Sequence, residues 1–251
     1  GVWEPELGEL RAREAMAERM GGVEKVARQH DRGKLDVREI LRTPEAELAD
    51  ILSRLPAGVA RAVGGHPAAL FEETEGIVVS PGVPRDHPLL ARAAAAGVPV
   101  LSEIELAFRF CRTPVIGVTG TNGKTTTAGL IQTLLEAGGR RAPAAGNIGA
   151  PFIAALNEDD PPDFIVVEVS SFQLEWVETF RPHIAVITNI TPDHLDRHRD
   201  LEEYVGWKRR IFTAQRAEDH LVLNADDERV RAGVGRALSA PAGGRSCCES
   251  R

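Results

Sequence analysis

The glycine-rich stretch at residues 115–127 constrains this chain more than any other. A short apolar run there ends in small residues, and a helical pattern begins at Lys124, continues to Ala137 and stops at two glycines. A strand, a glycine turn and a helix start in this order predict a phosphate-binding loop, because the backbone can approach the phosphates and the helix N-terminus adds partial positive charge. In such a loop Lys124 reaches the β- and γ-phosphate oxygens, and the hydroxyl of Thr125 can bind Mg²⁺.

The spacing of this loop departs from the strict nucleotide-loop pattern at one position. That pattern places a glycine five residues before Gly123, where this chain has Val118, although Gly117 and Gly120 flank the position. The stretch is therefore a variant of the pattern, and an ordinary strand–turn–helix junction is the alternative interpretation. The predicted phosphate-binding residues are Gly120, Thr121, Asn122, Gly123, Lys124, Thr125 and Thr126.

Length, charge and cysteine usage limit the classes of protein. The 251 residues suffice for one large or two modest domains, and a formal net charge of −7 without a basic run argues against nucleic acid as a partner. No apolar stretch approaches the length of a membrane span and the N-terminus is charged, so we predict a cytoplasmic protein. Cys111, Cys247 and Cys248 form neither a disulfide framework nor a zinc-binding spacing.

Strand and helix patterns alternate along most of the chain, which predicts an α/β fold with a parallel sheet and ligands at the carboxyl ends of its strands. Ser102 and Glu105 form a predicted capping box. From about Val230 onward the pattern is lost. The predicted strands are at 76–79, 98–101, 115–119, 164–169, 184–190 and 220–223, and the predicted helices are at 43–55, 86–96, 102–111, 124–137, 151–156, 171–177 and 201–214.

We predict three regions: a charged helical leader at 1–42, a partial first domain at 43–112 and a central domain at 113–251. Residues 20–39 resemble the N-terminal arm of the carboxyltransferase subunit of acyl-CoA carboxylases. Nothing after the leader continues that resemblance, and no acyl-CoA or biotin chemistry can be placed in the chain. The leader is therefore interpreted as foreign, with an ordinary solvated helical hairpin as the alternative.

Polar residues that follow the predicted strands are candidates for metal binding. Glu168 ends an otherwise apolar strand, and one carboxylate beside a phosphate loop is the arrangement expected for Mg²⁺, since water and phosphate supply its other ligands. A solvated strand-end glutamate is the alternative. His194 lies in the polar stretch 193–198 and could bind a second metal or orient the γ-phosphate, or it could be a hydrogen-bonding loop histidine.

Two further polar residues have open interpretations. Lys208 lies in the middle of a predicted helix, where lysines are nearly always solvated, and the residues alone favour that reading. Asn147, flanked by Gly146 and the segment ending at Gly149, could bond a phosphate or sugar or could hold a left-handed turn.

Five motifs follow one another along the chain, namely residues 120–126, 146–149, 168–175 and 188–198, and Lys208. In their residues and their order they resemble the Mur ligases, and the resemblance covers about residues 55–227. Within that family, the sequences at 170–175 and 79–84 point to the members that add D-glutamate. The resemblance implies an incomplete Rossmann-like first domain followed by a truncated P-loop domain with a parallel sheet.

The resemblance implies an ATP- and Mg²⁺-dependent ligase of peptidoglycan synthesis. The carboxylate of UDP-N-acetylmuramoyl-L-alanine would attack the γ-phosphate to give an acyl phosphate, and D-glutamate would then displace phosphate. Lys124, His194 and Lys208 would be catalytic, with Thr125 and Glu168 on one Mg²⁺ and His194 on a second. Lys208 aligns with the lysine that is carbamylated in this family, a modification that turns the cation into an anion on the metal side. The resemblance therefore replaces the interpretation of Lys208 as a solvated lysine.

The resemblance also places substrate contacts and sets limits. Asn147, Ser170 and Gln173 would approach the muramoyl group, and Ser80 and Gly82 the uridine end. The family's glycine-rich opening of the first domain and its third, D-glutamate-binding domain find no match in the chain. We therefore expect an incomplete form that cannot run the full reaction, and we separately expect a monomer. The alternatives are a non-catalytic nucleotide-binding fragment or fusion product, and a related ligase of the same superfamily that adds a different amino acid.

Overall fold

The computed structural model describes residues 74–156, 159–193 and 197–238. All of them lie in the compact unit Phe71–Arg251. The predicted leader, the helix at 43–55 and His194 lie outside the described residues, so the three predicted regions remain a prediction. Among the described helices, none combines the length and the apolar character needed to cross a membrane.

A small two-stranded unit precedes the glycine-rich stretch. Strands β1 (Ile77–Val79) and β2 (Val100–Ser102) pair in parallel, with helix α1 (Pro88–Ala95) between them in the chain. Pro88 suits the first turn of α1 because that position needs no intrahelical N–H bond. Helix α2 (Glu103–Phe110) follows β2 directly and leads into the main sheet.

The main sheet has five parallel strands in the order β4-β5-β3-β6-β7, which confirms the predicted α/β class. The chain passes from one side of β3 to the other between β5 and β6, so the carboxyl end of β3 is a switch point, where open α/β sheets bind ligands. The elements are β3 (Val115–Thr119), α3 (Lys124–Ala137), β4 (Ala144–Gly146), a 3₁₀ turn (Phe152–Ala155), β5 (Ile165–Glu168), α4 (Ser171–Leu174), β6 (Ile184–Ile187), α5 (Leu201–Thr213), β7 (His220–Leu223) and α6 (Glu228–Leu238).

The register of the sheet brings polar residues to one edge. Every residue of β3 is buried, as expected for a central parallel strand covered on both faces. Val118 pairs with Glu168, and Thr119 pairs with Ile187, the residue before Thr188. The strand ends at 168 and 187 therefore lie on either side of the loop that follows β3.

The predicted capping box at α2 forms only in part. Ser102 accepts a hydrogen bond from the backbone N–H of Glu105 at 3.2 Å, but the carboxylate of Glu105 does not return to Ser102. It binds the backbone N–H groups of residues 178–180 instead. A complete capping box forms at α4, between Ser170 and Gln173, where the sequence predicted substrate contacts.

The prediction that the pattern is lost from Val230 is wrong, because α6 runs from Glu228 to Leu238. The carboxylate of Asp227 caps its start by accepting from the N–H groups of Arg229 and Val230 at 2.9 and 3.0 Å. Glycines in this helix weaken the helical pattern in the sequence. A Cβ on Gly233 would come within 3.1 Å of the Val205 side chain, so the packing of α6 on α5 favours a glycine there.

Candidate active site

The loop between β3 and α3 is held in place by the end of β6. Asn122 donates its backbone N–H to Oδ1 of Asn189 at 2.9 Å, and Asn189 Nδ2 donates to the carbonyl of Asn122 at 2.9 Å. Gly120 has φ of +150°, and a Cβ there would lie 2.0 Å from Thr188 Oγ1. Only glycine fits at this approach, so the loop shape depends on Gly120.

The N-terminus of α3 lacks a side-chain cap. Gly123 occupies the N-cap position with φ of 77°, and no side chain accepts a hydrogen bond from the first turn. Side chains cap α1, α2, α4 and α5 in the usual way. Asn122, Thr125 and Thr126 are exposed. The helix start therefore presents N–H groups and partial positive charge at an exposed surface, which is the arrangement that binds phosphate.

Two lysine amines converge on this loop. Lys124 Nζ donates to the carbonyls of Gly120 and Thr121 at 3.1 and 2.9 Å. Lys208 Nζ donates to the same Gly120 carbonyl at 2.8 Å. The carbonyl of Gly120 therefore accepts hydrogen bonds from both amines, and these contacts fix the start of the loop.

Lys208 is 2% exposed, so the solvated reading of this residue is wrong. Burial lowers the pKa of Lys208 to about 7, the charge of Lys124 adds to the decrease, and Asp193 opposes it. Tyr204, one turn earlier on α5, places its ring 4.5 Å from Lys208 Nζ and its hydroxyl 3.1 Å from Thr121 Oγ1. Burial raises the pKa of Tyr204 to about 12, so the hydroxyl stays neutral.

Glu168 is 2% exposed, which excludes a solvated strand-end carboxylate. Its Oε2 accepts from Thr125 Oγ1 at 2.8 Å, and its Oε1 accepts from Asn147 Nδ2 at 2.9 Å. Among the described residues its carboxylate is thus held by neutral donors only. A buried anion beside a hydroxyl and a phosphate loop has the oxygen ligands that Mg²⁺ prefers, so these residues fit the ion.

The turn after β4 allows Asn147 to reach Glu168. Gly146 has φ of 96°, and a Cβ there would lie 2.4 Å from the carbonyl oxygen of Glu168. The left-handed positions of the turn are Gly146 and Gly149. Asn147 instead directs its amide at the carboxylate, so it is not the residue that holds the left-handed turn. Its predicted contact with a phosphate or sugar stays a prediction.

The other predicted site residues lie in different places. Ser170 and Gln173 bind each other, since Gln173 Oε1 accepts from the backbone N–H and the hydroxyl of Ser170 at 2.9 and 3.0 Å. Ser80 is exposed and Gly82 half-buried on the turn after β1. No group of three or more His, Cys, Asp or Glu side chains in the described ranges could hold a metal, and the role of His194 stays a prediction.

Sequence reasoning missed several residues around the site. Tyr204 shares a helix face with Lys208 at a spacing of four, and that spacing could have identified it. The turn after β1 is joined to the end of α4 by the contact of Arg85 with Glu175, and it is also bound by Arg197. These partners are about 90 to 116 residues apart in the chain, and no local pattern reports such contacts.

A parallel α/β sheet with a glycine-rich loop at its switch point is the architecture of a P-loop nucleotide-binding domain. A family model described as Mur ligase middle domain matches residues 118–240, and one described as Mur ligase MurD-like, N-terminal domain matches residues 42–102. The chain belongs to the Mur ligase family.

The chain is similar to several curated ligases. It is 47% identical over 199 residues to UDP-N-acetylmuramoylalanine--D-glutamate ligase of Acidobacterium capsulatum, with 79% of this chain and 43% of that protein covered. It is 49% identical over 187 residues to the ligase of the same name from Trichlorobacter lovleyi, with 74% and 42% covered. The chain thus spans less than half the length of these relatives.

A solved structure is also similar. UDP-N-acetylmuramate:L-alanyl-gamma-D-glutamyl-meso-diaminopimelate ligase from Neisseria meningitides aligns with 67% of this chain and 58% of its own, at 21% identity and a TM-score of 0.47.

Proposed function

We propose that this chain provides the nucleotide- and substrate-binding part of a ligase that adds D-glutamate to UDP-N-acetylmuramoyl-L-alanine in peptidoglycan synthesis, with ATP and Mg²⁺. The observation that carries the proposal is the 2.8 Å contact between Thr125 and Glu168 beside an uncapped helix N-terminus. The choice of D-glutamate is supported by two relatives named UDP-N-acetylmuramoylalanine--D-glutamate ligase, at 47% and 49% identity.

The proposed reaction has two steps. The substrate carboxylate attacks the γ-phosphorus, an O–P bond forms, the bridging P–O bond of ATP breaks and ADP leaves. The amine of D-glutamate then attacks the acyl carbon and loses a proton to solvent, an amide bond forms, and inorganic phosphate leaves with the electron pair of the C–O bond. Neither step needs a protein nucleophile, so positioning and charge neutralisation carry the catalysis.

Each described residue then has a definite task. The N–H groups at the start of α3 and the ammonium of Lys124 would bind phosphate oxygens. Thr125 and Glu168 would hold Mg²⁺, which neutralises phosphate charge when bound. Asn147 orients Glu168 through its amide, since its Nδ2 lies 2.9 Å from the carboxylate. The proposal includes a cytoplasmic location, because ATP and UDP-linked substrates are made there. It also includes a monomeric state, which sedimentation velocity tests.

Titration with MgADP tests the nucleotide site. We expect Lys124→Ala to weaken binding by about tenfold or more, since a charge-assisted phosphate contact is lost. Arg140→Ala is the matched control, because Arg140 is exposed and pairs with Asp163 on the surface. Equal affinity of Lys124→Ala and the unaltered chain would show that the loop is not the nucleotide site.

A phosphate-release assay separates a ligase from a nucleotide-binding module. The chain is incubated with ATP, Mg²⁺ and UDP-N-acetylmuramoyl-L-alanine, with and without D-glutamate. Phosphate release that depends on D-glutamate supports the complete reaction in this chain. Nucleotide binding without such release supports the non-catalytic alternative.

The pKa of Lys208 allows a test of its predicted carbamylation. Carbamate forms when a neutral amine attacks the carbon of CO₂ and loses a proton, so the reaction follows the deprotonated fraction. With a pKa of about 7, that fraction rises between pH 6 and pH 8, unlike that of an ordinary lysine. We expect a carbamate carbon signal in ¹³C-bicarbonate NMR that grows over this range and is absent in Lys208→Arg. A signal that persists in Lys208→Arg would contradict the assignment.

A further inference from the structure

Arg197, which lies after β6 in the chain, binds the turn that follows β1, residues 80–86. The guanidinium of Arg197 donates to the carbonyl oxygens of Pro81, Gly82 and Val83 at 3.3 to 3.4 Å. It also lies 4.6 Å from the ring centroid of Phe172. One half-buried cation therefore joins three consecutive carbonyls of the turn to helix α4.

A second arginine makes the connection in the opposite direction. Arg85 belongs to the turn, and its guanidinium carbon lies 5.0 Å from the ring of Trp176 and 4.6 Å from the ring of Trp207. Its Nη1 donates to the carbonyl of Glu175 at 3.2 Å. We call Arg85 and Arg197 together the arginine clasp.

A buried carboxylate lies near the clasp. Glu175 is 5% exposed, and burial raises its pKa, while the positive charges of Arg197 and then Arg85 oppose the increase. The adjoining groove of about 810 Å³ is lined by three arginines and three acidic residues, so its charges balance. A groove without net charge does not favour an anionic ligand. We therefore interpret the arginines as structural contacts and not as a separate anion-binding site. The lining residues are Arg85, Arg197, Arg199, Asp86, Glu175 and Glu203, with Pro84 and His198.

The anchors of the clasp adjoin residues of the proposed site. Trp207 precedes Lys208 on α5, and Phe172 lies between Ser170 and Gln173 in α4. The turn itself carries the predicted substrate contacts at 80 and 82. A shift of the turn relative to these helices would therefore change the distance between the substrate-side residues and the phosphate loop.

We propose that Arg197 is a positioning residue, which together with Arg85 fixes the turn carrying Ser80 and Gly82 against α4 and α5. By fixing the turn, Arg197 would hold the UDP-linked substrate in line with the nucleotide. This consequence rests on the proposed function. Arg197 acts through the backbone of the turn. Its loss therefore changes substrate affinity and leaves nucleotide affinity unchanged.

Binding measurements on the full chain test this consequence. We expect Arg197→Ala to weaken binding of UDP-N-acetylmuramoyl-L-alanine by about tenfold and to change MgADP affinity by less than about twofold. Arg197→Lys should recover only part of the loss, because it keeps the positive charge but replaces the planar guanidinium, whose two Nη atoms reach the three carbonyls, with a single nitrogen atom. Arg199→Ala is the matched control, since its side chain is 81% exposed and pairs only with Asp200 among the described residues.

Hydrogen exchange gives a readout that needs no ligand. In Arg197→Ala the amides of residues 80–90 should exchange faster, those of β3 and β5 should be unchanged, and Arg199→Ala should match the unaltered chain throughout. The inference is overturned if exchange in the turn is unchanged, if substrate affinity is unchanged, or if both ligands are weakened equally.

The two tests also separate this inference from the proposed function. If the unaltered chain binds neither ligand, the proposed function fails. Faster exchange confined to residues 80–90 would then still support the clasp, and unchanged exchange would reject it.

Discussion

Glu105 and Glu168 are both buried carboxylates, but their surroundings differ in the donors they provide. Glu105 accepts from the backbone N–H groups of residues 178–180 at 2.9 to 3.1 Å, and Arg109 supplies a cation at 2.9 Å. Burial by itself would raise the pKa of Glu105, but these hydrogen bonds, with one from the Thr179 hydroxyl, leave the pKa lowered. Glu168 receives only two hydrogen bonds from neutral side chains among the described residues.

The difference separates a structural carboxylate from a ligand-binding one. A buried anion with a full set of donors and a cation is satisfied within the fold, and removing it leaves buried partners unpaired at a large cost in stability. A buried anion with neutral donors only can gain further stabilisation from a cation in solution. Glu105 therefore fixes α2 to the 178–180 segment, and Glu168 is suited to a metal.

The largest expected effect is on folding stability. Glu105→Ala leaves three backbone N–H groups without their acceptor and Arg109 without its buried partner, so we expect a loss of about 3 kcal/mol or more in the free energy of unfolding. Urea denaturation followed by circular dichroism measures it. Glu178→Ala is the matched control, since it removes the exposed partner of Arg109 and should cost less than about 1 kcal/mol.

The pH dependence checks the cause of that loss. Because the pKa of Glu105 is lowered in the folded state, its contribution is present above the pKa of the unfolded state and is lost as pH falls through the folded pKa. The difference between Glu105→Gln and the unaltered chain should therefore narrow in acid. A constant difference from neutral pH to acid would show that packing, not charge, is what the substitution removes.

The second effect is on metal-dependent binding. Glu168→Gln keeps the shape of the side chain and removes its charge, so MgADP affinity should fall by about tenfold, which is about 1.4 kcal/mol. With EDTA in place of Mg²⁺, the variant and the unaltered chain should bind ADP alike. Glu136→Gln, on the exposed side of α3, is the control and should change neither value. A loss that persists in EDTA would mean that Glu168 contributes through the fold and not through a metal.

Local signals explain which parts of the fold were predictable. The predicted helix at 124–137 agrees with α3, because glycines mark both of its ends. The strand at 220–223 agrees with β7. Helix α6 was not predicted because a glycine favoured by packing against Val205 removes part of its helical pattern.

Residues of the candidate site were predictable only where polar side chains follow the end of a strand. Glu168 and Asn147 could be named because polar residues at the carboxyl ends of parallel strands meet at one edge. The burial of Lys208 was not readable from the residues alone, since its neighbours on α5 are a mixture of polar and apolar side chains. The role of Glu105 depends on donors 73 to 75 residues away, whereas sequence patterns describe spacings of three or four.

The smallest expected effect concerns Asn147, whose amide orients Glu168. Asn147→Ala removes one hydrogen bond to the carboxylate, so we expect about threefold weaker MgADP binding, which is about 0.7 kcal/mol, measured by titration calorimetry. The double variant with Glu168→Gln decides how Asn147 acts. If Asn147 acts through Glu168, the double variant binds MgADP no more weakly than Glu168→Gln alone. If the losses in MgADP affinity of the two single variants add, Asn147 contacts the ligand independently. In that case the hydrogen bond from Asn147 does not explain how Glu168 is oriented.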